Sequence, residues 1–253
     1  MCAYSRRFWF VGAALIAALF VNEGFADEKP KSYYLIGNSL TWDTVPSLLD
    51  GDVQWHVDCG KSLPFMHQNP GAPCVKSSTL WPEALGEKQY DFVVVQPHYG
   101  STLEEDAKVI SAWMKLQPRA VFVIHTCWAH HTKREAEYAN EDISGKMQHS
   151  PAYIDALLGK LREQHPGRHF RQTRAIDLLA KIAADASAGK APVSDVAELH
   201  RDAINMKHDT GKYLMHNAMR RALGQDASMK GFEKLDPNVR EYFDSVLNSV
   251  VEN

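Results

Sequence analysis

The sequence predicts an α/β protein: a three-layer α/β/α domain with about five parallel strands. Three observations carry this. The runs Phe92-Val93-Val94-Val95 and Val121-Phe122-Val123-Ile124 are apolar without alternation, as in strands covered on both faces. Segments of helical periodicity lie between and after them. The first four strand candidates end in glycine or polar residues, where ligands bind in open parallel sheets.

The elements follow in chain order. Residues 1 to 26 have the layout of a secretory signal peptide. Arg6 and Arg7 precede an apolar stretch from Phe8 to Val21, and Gly24 and Ala26 are the small residues before Asp27-Glu28-Lys29. The stretch is short against the roughly 20 residues that span a bilayer; an uncleaved anchor is the alternative reading. Cleavage after Ala26 predicts a secreted or periplasmic chain with no membrane contact once the signal is gone.

The first strand is Tyr33–Gly37, followed by Asn38-Ser39-Leu40-Thr41 and then by Val45, Leu48 and Leu49 at helix-compatible spacing. A tight strand-to-helix turn can hold a serine hydroxyl at the mouth of a sheet, where it can act as a nucleophile. The competing reading makes Ser39 or Thr41 a helix N-cap. Strand two, Val53–Asp58, ends in Asp58-Cys59-Gly60-Lys61-Ser62. Strand three, Asp91–Gln96, ends in Gln96-Pro97-His98-Tyr99-Gly100. Strand four, Ala120–His125, ends in His125-Thr126-Cys127-Trp128. His169–Thr173 is the weaker fifth candidate. Helices are expected at Leu103–Leu116, Ala152–Glu163, Ala175–Ala186, Gly211–Leu223 and Val239–Val251. Residues 129 to 150 are polar and poorly patterned, long enough for a lid or a disordered loop. Residues 225 to 253 read as a linker and an amphipathic helix, an extension packed on the main domain of residues 27 to 224.

Composition narrows the partners. Among 253 residues the net charge is −3, and the basic residues are not clustered. Neither nucleic acid nor an anionic membrane surface is implied. Beyond the signal segment stand Cys59, Cys74 and Cys127. Cys59 and Cys74 can close a short loop and leave Cys127 free; three buried, reduced thiols fit the odd count as well. His130-His131, near His125 and Cys127, match no compact ligand spacing, so no metal is expected. Trp42, Trp81 and Trp128 fall in loops near the inferred mouth, as sugar platforms or as ordinary packing.

Four short blocks, taken in order, resemble those of the SGNH hydrolases, the flavodoxin-like branch of the GDSL esterases and lipases. Gly37-Asn38-Ser39 is similar to the family's first block, in particular to an exported bacterial branch beginning Gly-Asn-Ser-[Phe/Leu]-Thr. Gly60 is similar to the second-block glycine. Gln96 stands near the place of the third-block Asn, offering the same amide on a longer arm. Asp202 and Gly211 fit the last block, Asp-x-x-His before a helix-opening glycine, but Asn205 occupies the histidine position. The resemblance covers about residues 31 to 224. It implies a serine hydrolase without cofactor, acting on a small ester or an acylated carbohydrate. Ser39 would be the nucleophile and Asp202 the orienting acid. The N–H groups of Ser39 and Gly60 and the amide of Gln96 would form the oxyanion hole.

The base is the departure from that pattern. A carboxamide nitrogen has no free lone pair for a proton. His208, three residues past Asn205, is the first candidate, and His98 and His125 are others on the same sheet edge. Two further readings follow. One is a catalytically impaired relative that binds a glycan or small ligand. The other is a nucleotide or phosphate binder, against which the first turn lacks a glycine-rich phosphate loop.

Overall fold

The computed structural model describes Met1 and residues 29 to 250. The expected signal segment, residues 1 to 26, lies outside the described residues apart from Met1.

The chain alternates strands and helices as the periodicity requires. β1 (Ser32–Gly37) is followed by α1 (Ser39–Trp42), β2 (Asp52–Val57), α2 (Leu63–Gln68) and α3 (Trp81–Glu87). Then come β3 (Phe92–Val95), α4 (Leu103–Leu116), β4 (Val121–Ile124), α5 (Arg134–Tyr138) and α6 (Pro151–Gln164). β5 (Phe170–Gln172), α7 (Ala175–Ser187), α8 (Gly211–Ala222) and α9 (Pro237–Ser249) complete the order. The five strands form one parallel sheet in the order β2-β1-β3-β4-β5. This is the three-layer α/β/α, flavodoxin-like architecture that the unalternated strands imply.

Register explains the core. Val93 and Val95 point with Tyr34, Ile36, Phe122 and Ile124 into the layer that α4 and α6 cover, with Trp113 and Leu157 fully buried. Leu35, Val94 and Val123 point the other way, against Met219, Ala222 and Leu223 at the end of α8. α7, α8 and α9 share a further apolar cluster containing Leu178, Leu214 and Phe243. The free edge of β2 is covered by irregular chain: the N–H groups of Val75 and Thr79 donate to the carbonyls of Val57 and Trp55. That pairing blunts an edge otherwise open to other strands.

Two regions differ from the sequence expectation. α2 and α3 were not anticipated; each spans under two turns and carries a proline in its first turn, so neither displays a readable period. Residues 129 to 150, expected as a lid or a disordered loop, contain a 3-10 turn and α5. Buried Glu137 fixes them to the sheet edge, accepting from the Tyr99 hydroxyl at 2.8 and 2.9 Å and from the His149 N–H at 3.0 Å. Cys59 and Cys74 form a disulfide, and Cys127 is a free, buried thiol. Burial pushes the Cys127 thiol well above its usual range.

Candidate active site

The site grows from the turn after β1. Asn38 caps α1: its Oδ1 accepts from the Leu40 N–H at 3.0 Å. The cap role therefore falls to Asn38 rather than to Ser39 or Thr41. Ser39 is left at the first helical position, half-buried, and its hydroxyl has no hydrogen-bond partner among the described residues. Gly37 is required here by space. A Cβ at that position would stand 2.0 Å from Thr41 Oγ1 and 2.6 Å from Gln96 Oε1.

Gln96 organises this turn. Its Oε1 accepts from the Asn38 N–H (2.9 Å), the Thr41 N–H (3.1 Å) and the Thr41 hydroxyl (2.7 Å). Its Nε2 donates to Asn38 Oδ1 at 2.9 Å, and the residue is fully buried. Gln96 thus touches the residues on both sides of Ser39. Its carboxamide is already engaged by the turn.

Gly60 follows β2 with φ +69°, in open space and exposed to solvent. Its neighbour Lys61 accepts from Asn38 Nδ2 through its carbonyl at 3.3 Å. The second-block loop is thereby joined to the same turn.

The late loop docks on α1 from the other side. Asp43, the C-cap of α1, is 1% exposed; its Oδ2 accepts from the Met206 N–H at 2.7 Å, and its Oδ1 faces Lys212 Nζ at 3.2 Å. Desolvation raises the Asp43 pKa, against the lowering by Met206 and Lys212. Trp128 Nε1 donates to the Ile204 carbonyl at 2.6 Å, and the His131 N–H donates to the Ala203 carbonyl at 3.0 Å. His131, Trp128 and Asp43 therefore hold Ala203, Ile204 and Met206, on either side of Asn205. The structure brings the Ser39 turn, the Gly60 loop, Gln96 and the Asp202–Met206 loop to one sheet edge.

Within that loop, Asp202 Oδ1 accepts from the N–H groups of Ile204 (3.0 Å) and Asn205 (2.7 Å). Asn205 Nδ2 donates to both carboxylate oxygens, at 3.2 and 3.1 Å. Partial desolvation opposes these donors, and the net result holds the Asp202 carboxyl down at about 2. Asn205 Oδ1 is buried and has no hydrogen-bond partner among the described residues. The amide stands toward Asp202 as an imidazole N–H would in a triad, but it presents only an acceptor oxygen on its other side.

The histidines fall into different settings. His208 is exposed, its Nδ1 lies 3.2 Å from Asp209 Oδ1, and its ring lies 6.1 Å from that of Phe232. His125 is fully buried. Its Nε2 donates to the Leu40 carbonyl at 3.5 Å, so its Nδ1 accepts from the Thr173 hydroxyl at 2.9 Å. Both nitrogens are used in joining β4, β5 and α1. Desolvation lowers its pKa to about 4. His98 is 7% exposed and sets Nδ1 3.2 Å from Nε2 of the fully buried His149. His200 donates from Nδ1 to the Val196 carbonyl at 3.1 Å, with Nε2 buried and without a hydrogen-bond partner among the described residues.

The tryptophans separate similarly. Trp128 is a buried strut. Trp81 stacks on His67 and donates from Nε1 to the Met66 carbonyl. Trp42 is half-buried, edge-on to Trp55. Sequence reasoning missed Asp43 and Lys212; Asp43 lies four positions after Ser39, one turn of helix, but nothing local signals a buried carboxylate.

No protein-family model and no curated protein matches the chain. Among solved structures, it is similar to a family two carbohydrate esterase from Cellvibrio japonicus, with TM-score 0.36, 13% identity, and coverage of 57% of this chain and 53% of that one. The chain thus spans about half the length of that protein. A GDSL-like lipase candidate from Parabacteroides merdae gives TM-score 0.44 and 13% identity, over 78% of this chain and 96% of that one. A carbohydrate esterase family 3 protein from Talaromyces cellulolyticus gives 0.44 and 11%, over 81% and 100%. At this level the likenesses carry no assignment of activity.

Proposed function

We propose that the chain is an SGNH-type serine esterase for small esters, with O-acyl groups on carbohydrate as the substrate class. The observation that carries this reading is the Ser39 turn. A capped, tightly framed strand-to-helix turn presents a half-buried hydroxyl with no hydrogen-bond partner among the described residues, joined through Asn38 to the loop that holds Gly60 at φ +69°. The sequence blocks around Ser39, Gly60 and Asp202 support it. The carbohydrate substrate comes from the resemblance alone.

In this mechanism Ser39 Oγ attacks the ester carbonyl, and the N–H groups of Ser39 and Gly60 receive the oxyanion. His208 takes the Ser39 proton and returns it to the leaving alcohol. The turn from Lys207 to Thr210 must carry it inward, because its ring now faces solvent beside Asp209. Asp202 keeps the charge that would stabilise the resulting imidazolium. Gln96 is assigned to the frame rather than to the oxyanion, since its amide is bonded to Asn38. Export, with cleavage after Ala26, is part of the same proposal.

One observation favours a second reading. Asn205 fills the histidine position and satisfies Asp202 with an amide that cannot accept a proton. A protein that binds the ester or glycan without hydrolysing it needs no base. Initial rates on one activated aryl acetate separate the two. The wild type, Ser39→Ala, His208→Ala and Asn205→His are compared at one pH. The esterase reading expects turnover that Ser39→Ala abolishes and His208→Ala reduces by about 100-fold or more. A silent wild type that Asn205→His activates supports the impaired reading. Activity that persists in Ser39→Ala overturns both.

A further inference from the structure

We propose that His98 supplies the third oxyanion donor, from its Nε2–H, in the position the sequence blocks assign to Gln96. The inference rests on the serine-esterase reading.

It begins with a vacancy in the chemistry. Gln96 is fully buried, with Nε2 on Asn38 Oδ1 and Oε1 on three donors of the Ser39 turn. Its amide cannot turn toward a carbonyl oxygen without undoing that frame. The next polar side chain along the strand end is His98. The last paired residues of β1 and β3 are Ile36 and Val95. Ser39 and His98 each stand three positions beyond that pair, on neighbouring strands at the same sheet edge.

The ring is held from behind. Nδ1 faces His149 Nε2 at 3.2 Å, and the ring packs against Tyr99 with centroids 4.8 Å apart. Tyr99 and the His149 backbone are both bonded to Glu137. These contacts come from β3's exit and from the segment after α5, so His98 has little rotational freedom.

The hydrogen-bond inventory sets its tautomer. One proton lies between His98 Nδ1 and His149 Nε2. Were His98 the donor, neutral His149 would carry its own proton on Nδ1, which is buried and makes no well-formed hydrogen bond among the described residues, the Thr126 backbone being the one hydrogen-bonding group besides His98 that acts on the ring. An orphaned buried N–H is a rarer and costlier defect than an idle lone pair. His149 therefore donates, His98 Nδ1 accepts, and the His98 proton resides on Nε2. That nitrogen has no partner among the described residues, and His98 retains 7% of its surface exposed. Desolvation lowers the pKa of His98 to about 4 and that of His149 well below the usual value, so both rings stay neutral. A neutral imidazole that polarises a carbonyl is a known electrophilic device. In the step itself, Ser39 Oγ bonds to the carbonyl carbon and its proton passes to the base. The carbonyl π pair moves onto oxygen, where the N–H of His98 receives it. His98 neither gains nor loses a proton.

Two measurements test this. Nitrogen-15 NMR of the imidazoles should give His98 as the Nε2–H tautomer, unchanged between about pH 5.5 and 8. An Nδ1–H tautomer, or a titration in that window, overturns the proposal whether or not the protein is an esterase. In the aryl acetate assay, His98→Leu should lower kcat/KM by about 100–1,000-fold. His98→Gln, which keeps a donor, should recover at least about tenfold of that loss. Equal rates for His98→Leu and wild type, or equal losses in both variants with unfolding midpoints unchanged, refute the donor role. A wild type with no Ser39-dependent turnover removes the esterase reading and this proposal with it, while the tautomer result still reports on the hydrogen-bond argument.

Discussion

Gln96 offers the sharpest test of how the nucleophile turn is built. Gln96→Met keeps the length of the side chain and removes its polar atoms. Three donors lose their acceptor: the N–H groups of Asn38 and Thr41 and the Thr41 hydroxyl. Asn38 and Thr41 are both fully buried, so water cannot readily replace Oε1. Each orphaned group costs about 1–3 kcal/mol, or roughly 3–9 kcal/mol in total. Relaxation of the turn reduces this, and single substitutions seldom exceed about 5 kcal/mol. The expected loss is about 3–5 kcal/mol. Urea unfolding followed by circular dichroism measures it, with an unchanged m-value confirming a two-state comparison. A loss under about 1 kcal/mol would refute the frame role. So would a variant of native stability that had lost its activity, because that is the signature of an oxyanion donor rather than of a frame.

Four other outcomes are expected. Asp43→Asn leaves the Lys212 ammonium without its 3.2 Å partner; because Lys212 keeps 12% exposure, the cost should fall at about 2–4 kcal/mol, read from urea unfolding. A small effect would mean that the α1 end and the late loop dock without this pair. The Asp202 carboxyl should titrate near pH 2 by carbon-13 NMR. Its pKa is depressed on folding, so its contribution is present above about pH 4 and is lost as the pH falls toward 2. Asn205→Ala should move the midpoint upward, and an unmoved midpoint would contradict the amide's role. Replacing both Cys59 and Cys74 by Ser opens a loop of sequence separation 15 and should cost about 3 kcal/mol. Cys127 should stay unreactive to an aromatic disulfide until the chain unfolds; rapid labelling of the native protein would contradict its burial.

The sheet was legible because both-face burial writes itself into composition. Val93-Val94-Val95 and Phe122-Val123-Ile124 leave no alternation to interpret, and the observed strands fall within a residue or so of the expected ones. The long helices were equally readable; Leu103–Leu116 agrees at both ends, where a Thr102–Glu105 capping box opens the helix. α2 and α3 were not readable, since six or seven residues display too little of a 3.6-residue period. At the site, the residue types at the strand ends were visible but their orientations were not. Gln96 and His98 lie two residues apart at one strand exit, and nothing local in the sequence told that Gln96 would be bonded into the Ser39 turn while His98 would pair with His149. The Asn205 exchange was plain in the sequence. Its pairing with Asp202, and the outward setting of His208, depend on the fold of a loop held by Asp43, Trp128 and His131.

The central claim is that Ser39 is a nucleophile, and covalent capture tests it most directly. The folded protein is incubated with an alkyl fluorophosphonate, digested and mapped by mass spectrometry. The expected result is one phosphonylated site, on the peptide containing Gly37-Asn38-Ser39, absent from Ser39→Ala and slowed in His98→Leu. A wild-type Ser39 that stays unmodified in folded protein, or label that appears on another residue and persists in Ser39→Ala, would contradict the account.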